Sequence, residues 1–318
     1  MLTATALARA HRRAFVATTT TLVLVLWTLL VLAAWLFAGV FNGLPDEKAL
    51  RGVGGMAQAT TIYDAYDRPA FTFFKEYRIE VPLSRMSPHL IDAVLAVEDQ
   101  RFFQHGGVDV IRVAGAAWGN VRNGWGTQGG STITQQVARQ SFLSNEKTLR
   151  RKLKEIVVAS RLESEFNKTQ ILEWYLNKVY FGDGLYGVEA ASLGYFGKHA
   201  SELDVAEAAL LAGLVKAPSS YSPTVSVDRA LARRRVALKA MRQAGAIDTA
   251  TFESADGREL NLQDGLRTQE TYGEYFKEEV RKQLVEQFGT ERVYEGGLKV
   301  YTTIDPGLQR AAEAEVLR

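Results

Sequence analysis

The chain contains no cysteine. That excludes a disulfide framework, thiolate chemistry and any cysteine-ligated metal. Histidine is scarce: His11, His89, His105 and His199 are scattered, and no HxxxH pair suggests a zinc site. A dominant charge is missing as well. Lys and Arg number 38 against 36 Asp and Glu, a net charge of +2. This argues against a general nucleic-acid binder and leaves any basic patch local. There is no internal repeat and no low-complexity tail.

What is present is unevenly placed. The chain has 318 residues, 47% hydrophobic and 23% charged, enough for one large domain or two small ones. The apolar excess sits in Phe15 to Phe41 (FVATTTTLVLVLWTLLVLAAWLFAGVF), which carries no charge. As a helix of ~1.5 Å per residue it outspans a ~30 Å hydrocarbon core. Arg9, Arg12 and Arg13 precede it, and Asp46 and Glu47 follow. The positive-inside rule then puts the N-terminus in the cytoplasm and everything after Phe41 outside. A cleaved signal peptide is the competing reading, but its apolar region runs only ~7–15 residues.

Beyond the anchor, 42–58 reads as a linker. Residues 60–82 are strand-like on either side of the turn-like YDRP. Then the pattern turns helical. Helices are expected over Pro88 to Val97 with Ser87 as N-cap, Val108 to Val121, Ser131 to Gln140 and Glu146 to Phe166 with Ser144 as N-cap. In the last, Leu149, Leu153, Ile156 and Val157 form the apolar stripe. Further helices run from the capping box at Asn167 through Asn177, then Val188 to Tyr195, Ser201 to Val215, Asp228 to Ala244 and Tyr272 to Phe288. Gly296–Asp305 reads as a strand with little to pair with, followed by a helix opened by Pro306.

Three stretches could carry chemistry. EDQRFFQHGG (Glu98 to Gly107) sets a carboxylate pair beside two Phe and one His, which can hold one acid partly desolvated as a general base; it also reads as a plain helix end with a glycine stop. GGSTITQQVARQ (Gly129 to Gln140) brings hydroxyls, amides and backbone N–H groups to a helix start, either an anion or sugar site or a polar cap. Lys147, Arg151 and Glu155 are spaced i, i+4, i+8, with Arg139, Arg150, Lys152 and Lys154 adding positive charge. Such a cluster can clamp a diphosphate or form a solvated, salt-bridged face. Ser144 to Lys147 matches the S-x-x-K pattern of penicillin-interacting enzymes, but neither S-x-N nor K-T-G accompanies it, so no β-lactam acylation is expected.

The order of the motifs carries a resemblance. EDQRFFQHGG, GGSTITQQ, RKLKE (Arg151–Glu155), KTQILEWYLN (Lys168–Asn177) and ARRRVAL (Ala232–Leu238) resemble, in that order, glycosyltransferase family 51, the peptidoglycan glycosyltransferases. The final GGLKVYTTIDPGLQRAAE resembles the linker that leads into a transpeptidase domain. The resemblance implies a mainly α, lysozyme-like glycosyltransferase domain with small β elements behind one transmembrane helix. It divides the chain into a cytoplasmic tail (1–14), an anchor (15–41), a linker (42–59), a glycosyltransferase domain (60–250) and a C-terminal linker opening a missing transpeptidase domain (251–318). It implies polymerisation of lipid II into β-1,4-linked strands with release of undecaprenyl diphosphate, at the bacterial cytoplasmic membrane. Glu98 would be the base and Glu155 the second catalytic carboxylate. Asp99, Phe102, His105, Gly106, Ser131, Thr132, Gln135, Gln136, Arg139, Lys147, Arg151, Lys152, Asn177 and Arg233 would contact substrate. Ala237 departs from the family's usual Val, and Val215-Lys216 from its usual Pro-Gln. The partners implied are lipid II, the growing strand, the membrane and other wall-synthesis proteins, with no nucleic acid. No metal-ligand set is legible; a divalent cation, Mg2+ or Mn2+, assisting the diphosphate is left open. A lysozyme-like muramidase or lytic transglycosylase, and a non-catalytic wall-synthesis scaffold, are the alternatives.

Overall fold

The computed structural model describes residues 2–54, 60–73, 77–115, 130–143, 146, 148–263 and 272–316. Helix α1 (Leu2–Phe41) contains the apolar run, and Phe15–Leu32, with mean hydropathy 2.2, is long and apolar enough to cross a membrane. Its threonines are compatible with that medium because their hydroxyls bond back along the helix: Thr20 to Val16 O (2.8 Å), Thr21 to Ala17 O (2.8 Å) and Thr28 to Leu24 O (2.8 Å). The stretch read as a linker is folded through residue 54. Asp46 caps α2 (Glu47–Arg51), and Leu50 and Val53 are buried in the main core.

That core is helical. At its centre lies α8 (Val205–Leu214), whose sequence VAEAALLAGL is apolar on nearly every side and buried from Ala208 to Leu214. Small residues let neighbours approach: a Cβ on Gly213 would stand 2.8 Å from Arg233 O. Against α8 pack α3 (Pro88–Glu98) and α9 (Val227–Gln243). Next to these, α4 (Ile133–Phe142) packs on α5 (Leu149–Glu165) and α6 (Lys168–Lys178). Helix α7 (Val188–Phe196) follows, and α10 (Thr249–Gly257) closes on α9. Val110 opens a helical segment described to residue 115; the expected continuation to Val121 lies outside the described residues.

Several boundaries differ from expectation for identifiable reasons. The start of α8 is Val205 because Asp204 and Glu207 form a capping box there. Ser87 precedes α3 but donates to Leu203 O (2.8 Å) instead of capping it. Thr148, not Ser144, caps α5, its hydroxyl accepting from Arg151 N (3.1 Å); Ser144 lies outside the described residues. The apolar stripe of α5 is also displaced. Leu149 (71%) and Leu153 (37%) are exposed, because the first turns project past the core; the buried face is Glu155, Val158, Ala159 and Leu162.

Two small sheets complete the fold. Strands β1 (Thr60–Tyr63) and β2 (Pro69–Phe73) form a hairpin, and β6 (Lys299–Tyr301) adds to β1 in parallel. The second sheet joins β3 (Tyr77–Arg78), β4 (Tyr180–Gly182) and β5 (Leu185–Tyr186). The strand after Gly296 therefore has a partner, contrary to expectation. Its neighbours supply the reason: Ile62, Phe71, Phe73, Tyr272, Leu284, Val293 and Ile304 make a second buried cluster with α11 (Glu274–Phe288) and α12 (Thr290–Glu295). Helix α13 (Pro306–Val316) ends the description.

This partition is testable. Ile304→Ala should cost the second cluster about 2–4 kcal/mol and expose the segment after Gly296 to protease. The helical core should keep its unfolding midpoint, as read by limited proteolysis and denaturant titration on the same sample.

Candidate active site

The site forms where α3 ends and α4 begins. At the C-cap of α3 sits Asp99, fully buried. Its Oδ2 accepts from Ile133 N, at the first turn of α4 (3.0 Å), and its Oδ1 lies 3.0 Å from His105 Nε2. A buried carboxylate at a helix N-terminus is stabilised by the dipole and by the exposed amide. Arg112 stands 3.9 Å from Asp99 and also donates to the carbonyl of Glu98. Thr132 ties the same junction to the loop: its hydroxyl donates to Gly107 O (2.6 Å) and caps α4 in a box with Gln135. Gly107 has φ +79, and a Cβ there would stand 3.0 Å from Ala159 O, so this position needs glycine.

From this junction the adjacent glutamines reach two different charged groups, a carboxylate and an ammonium. Gln136 Nε2 donates to Glu98 Oε2 (2.8 Å), and Glu98 is half-buried. Gln135 Oε1 accepts from Lys152 Nζ (3.0 Å), which also donates to Ser131 Oγ (2.6 Å) and pairs with Glu155 Oε2 (2.9 Å). Arg151 pairs with the other oxygen of buried Glu155 and donates to Glu146 O. Burial, with Arg151 and Arg139 beside it, pushes Lys152 down to about 8. Arg139, on α4 one turn beyond Gln135, thus belongs to the cationic side.

The structure brings Glu98, Asp99, His105, Ser131, Thr132, Gln135, Gln136, Arg139, Arg151, Lys152 and Glu155 into this one region. It sends others elsewhere. Phe102 is fully buried against Phe103 and His105, with the Lys168 ammonium 4.3 Å from its ring centroid. Asn177 spends its amide on Val81, donating to Val81 O (2.9 Å) and accepting from Val81 N (3.1 Å). Arg233 donates to Gly213 O (3.1 Å) and lies over the Tyr221 ring. Gly106 is exposed with open space around it. Lys147 lies outside the described residues. Arg150 and Lys154, read as part of the basic cluster, turn to the end of α1 instead.

Sequence reasoning missed Arg112 and Tyr175. Arg112 interrupts the apolar run that follows Asp109, VIRVAGAAW, which was the available signal. The Tyr175 hydroxyl is buried with no hydrogen-bond partner among the described residues. Its burial, with the charges of Glu98 and Asp99 adding, pushes it well above the ordinary tyrosine range.

Asp99, His105 and Asp109 offer ligand atoms within 4.8 Å of one another, a grouping that could hold a cation. Their chemistry does not fit one. Asp109 already holds the Arg101 guanidinium (2.6 Å) and Arg112 N (2.9 Å), and Asp99 holds Ile133 N. Against burial, which acts the other way, the Arg112 amide and the Arg101 guanidinium hold the Asp109 carboxyl below its ordinary value.

Among known proteins, the chain belongs to the transglycosylase family, whose profile, described as Transglycosylase, matches residues 67–242. More particularly, it is similar to Penicillin-binding protein 1A of Aquifex aeolicus (strain VF5), 42% identical over 274 residues, covering 86% of this chain and 37% of that protein. Penicillin-binding protein 1A of Escherichia coli (strain K12) is 40% identical over 86% of this chain and 32% of its own length. Penicillin-binding protein 2D of Bacillus subtilis (strain 168) is 38% identical over 91% and 44%. The chain thus spans between about a third and under a half of the length of these relatives. A solved structure of Penicillin-Binding Protein 1A from Haemophilus influenzae aligns with TM-score 0.49 and 27% identity over 81% of this chain and 29% of that one.

The two placements of Asn177 separate by experiment. As a clamp on Val81 it is worth about 1–3 kcal/mol, because truncation leaves two buried backbone groups unpaired. Asn177→Ala should therefore lower the unfolding midpoint while leaving KM for substrate near wild type.

Proposed function

We propose that the chain is a membrane-anchored peptidoglycan glycosyltransferase. It joins lipid II disaccharides through β-1,4 bonds and releases the undecaprenyl diphosphate carrier. The observation that supports this best is that adjacent Gln136 and Gln135 lead to two differently equipped carboxylates, Gln136 directly to Glu98 and Gln135 through Lys152 to Glu155. Among the described residues Glu98 has one neutral side-chain partner, Gln136, and it is half-buried, which suits a base that must accept a proton. Glu155 sits between Arg151 and Lys152, with Arg139 close by.

In this reading Glu98 removes the proton from the acceptor 4-hydroxyl as that oxygen attacks the anomeric carbon of the donor. The diphosphate leaves from the opposite face, so the anomeric configuration inverts. A sugar diphosphate is already a good leaving group, and its departure needs charge stabilisation more than an acid. Lys152, Arg151 and Arg139 supply it, with Ser131 and Gln135 holding Lys152 in place. Were a divalent cation, Mg2+ or Mn2+, to assist the diphosphate, the diphosphate itself would have to hold it, since the Asp99 and Asp109 donors are spent on protein groups. Helix α1 is the anchor, with Arg9, Arg12 and Arg13 on the cytoplasmic side and the catalytic domain outside. A glycan-cleaving muramidase or lytic transglycosylase would work with one carboxylic acid and give the cations around Glu155 no task. A scaffold would have no use for Glu98 at Gln136.

The direct experiment is incubation of the purified chain with labelled lipid II and sizing of the product. Glu98→Gln should lower polymerisation by about 10²–10⁴-fold with lipid II binding largely kept; a variant within about tenfold of wild type would remove Glu98 from the role of base.

The pH dependence follows from Lys152. Its ammonium loses its charge as pH rises through about 8. A bound diphosphate favours the charged form and moves that midpoint upward. KM should therefore rise above about pH 8, while Lys152→Arg, always charged, should flatten that limb. A KM profile that is level across this range in wild type would detach Lys152 from the diphosphate.

A further inference from the structure

The basic helix α5 has two cationic faces, and only one of them looks into the site. At about 100° per residue, Arg150, Lys154 and Arg161 fall within about 40° of one another, while Arg151, Glu155 and Lys152 lie about 100–200° round from Arg150. The first three end on backbone carbonyls where the chain leaves α1. Arg150 Nε donates to Gly39 O (2.7 Å), Lys154 Nζ to Asn42 O (2.5 Å) and Arg161 Nη1 to Pro45 O (3.2 Å). The last carbonyls of a helix lack intrahelical donors and carry the negative end of its dipole, so cations are favoured there. The fit is close: a Cβ on Gly39 would stand 3.0 Å from Arg150 Nε. Nor is the chain slack just beyond. Asp46 accepts from Ala49 N (2.7 Å) to start α2, and Leu50 and Val53 are buried in the core.

We propose that this contact is a clamp that fixes the height and tilt of the site against the membrane, with Arg150, Lys154 and Arg161 as positioning residues. The inference rests on reading the site as one for a lipid-linked diphosphate. Such a substrate keeps its carrier in the bilayer and presents its diphosphate at the surface, so the cations that meet it must be held at one depth. Arg151 and Lys152 lie between Arg150 and Lys154 on one uninterrupted helix. Any tilt of the anchor reaches them without a hinge.

The test uses the full chain in phospholipid vesicles. The natural sequence has no cysteine, so an Asn42→Cys, Val157→Cys pair has no background. It leaves all three cations and their acceptor carbonyls in place, and position 157 lies on the same face of α5 as the clamp. A short bis-maleimide should join the two within one chain, and Arg150→Gln with Lys154→Gln should lower the yield. Absence of the cross-link overturns the clamp whatever the activity. In the activity arm, the Arg150→Gln, Lys154→Gln double variant and, from the anchor side, Gly39→Val should each lose about tenfold or more on long-chain substrate in vesicles, yet stay within about twofold of wild type on a short-chain, water-soluble analogue in detergent. Equal losses in both media would place these cations in the site or the fold and sink the proposal, as would wild-type rates in vesicles. Failure of the wild type to polymerise in either medium would count against the glycosyltransferase reading instead, and the cross-link would then decide the clamp alone.

Discussion

The arrangement depends on one buried carboxylate. Asp99 has no exposure and binds Ile133 N and His105, with Arg112 within 3.9 Å. A charged group that is out of water must be met by donors on several sides, and here the donors come from separate segments. Satisfying Asp99 therefore forces the end of α3, the His105 loop, the helical segment carrying Arg112 and the start of α4 to converge. Glu98 and Gln136 meet as a consequence, Glu98 being next to Asp99 and Gln136 three residues beyond Ile133.

The second organising element is α5, a helix with charge on most of its circumference. Its buried face is narrow and is topped by Glu155. That carboxylate is tolerated in the interior because Arg151 and Lys152 flank it on the same helix. The remaining cations serve the carbonyls at the end of α1. A diphosphate entering the site would compete with Glu155 for Arg151 and Lys152, so ligand binding and the local ion pairs draw on the same two cations.

Much of the site was legible in the chain. Motif order brought out Glu98, Gln135, Gln136, Arg151, Lys152 and Glu155, and all six meet in space. The sequence does not say which way a polar residue faces. Asn177 and Arg233 lie in matching motifs, yet Asn177 spends its amide on the Val81 backbone and Arg233 turns its Nε to Gly213 O. Leu149 and Leu153 have helical spacing that looks like a core stripe, but their turns extend past the core. The pairing of β6 with β1 joins residues more than two hundred positions apart, a contact that local pattern does not record.

The sequence by itself determined what rests on local physics: an apolar run long enough to span a bilayer, a capping box at Asn167, and a glycine-led helix start rich in hydroxyls and amides. These follow from periodicity, propensity and short-range hydrogen bonding, which neighbours in the chain settle among themselves. Only the tertiary structure decided which cations of α5 face the site and which meet the carbonyls at the end of α1, which carboxylate Gln136 meets, and that burial depresses Lys152. Those outcomes depend on desolvation and on partners from distant segments, and both exist only once the helices have packed.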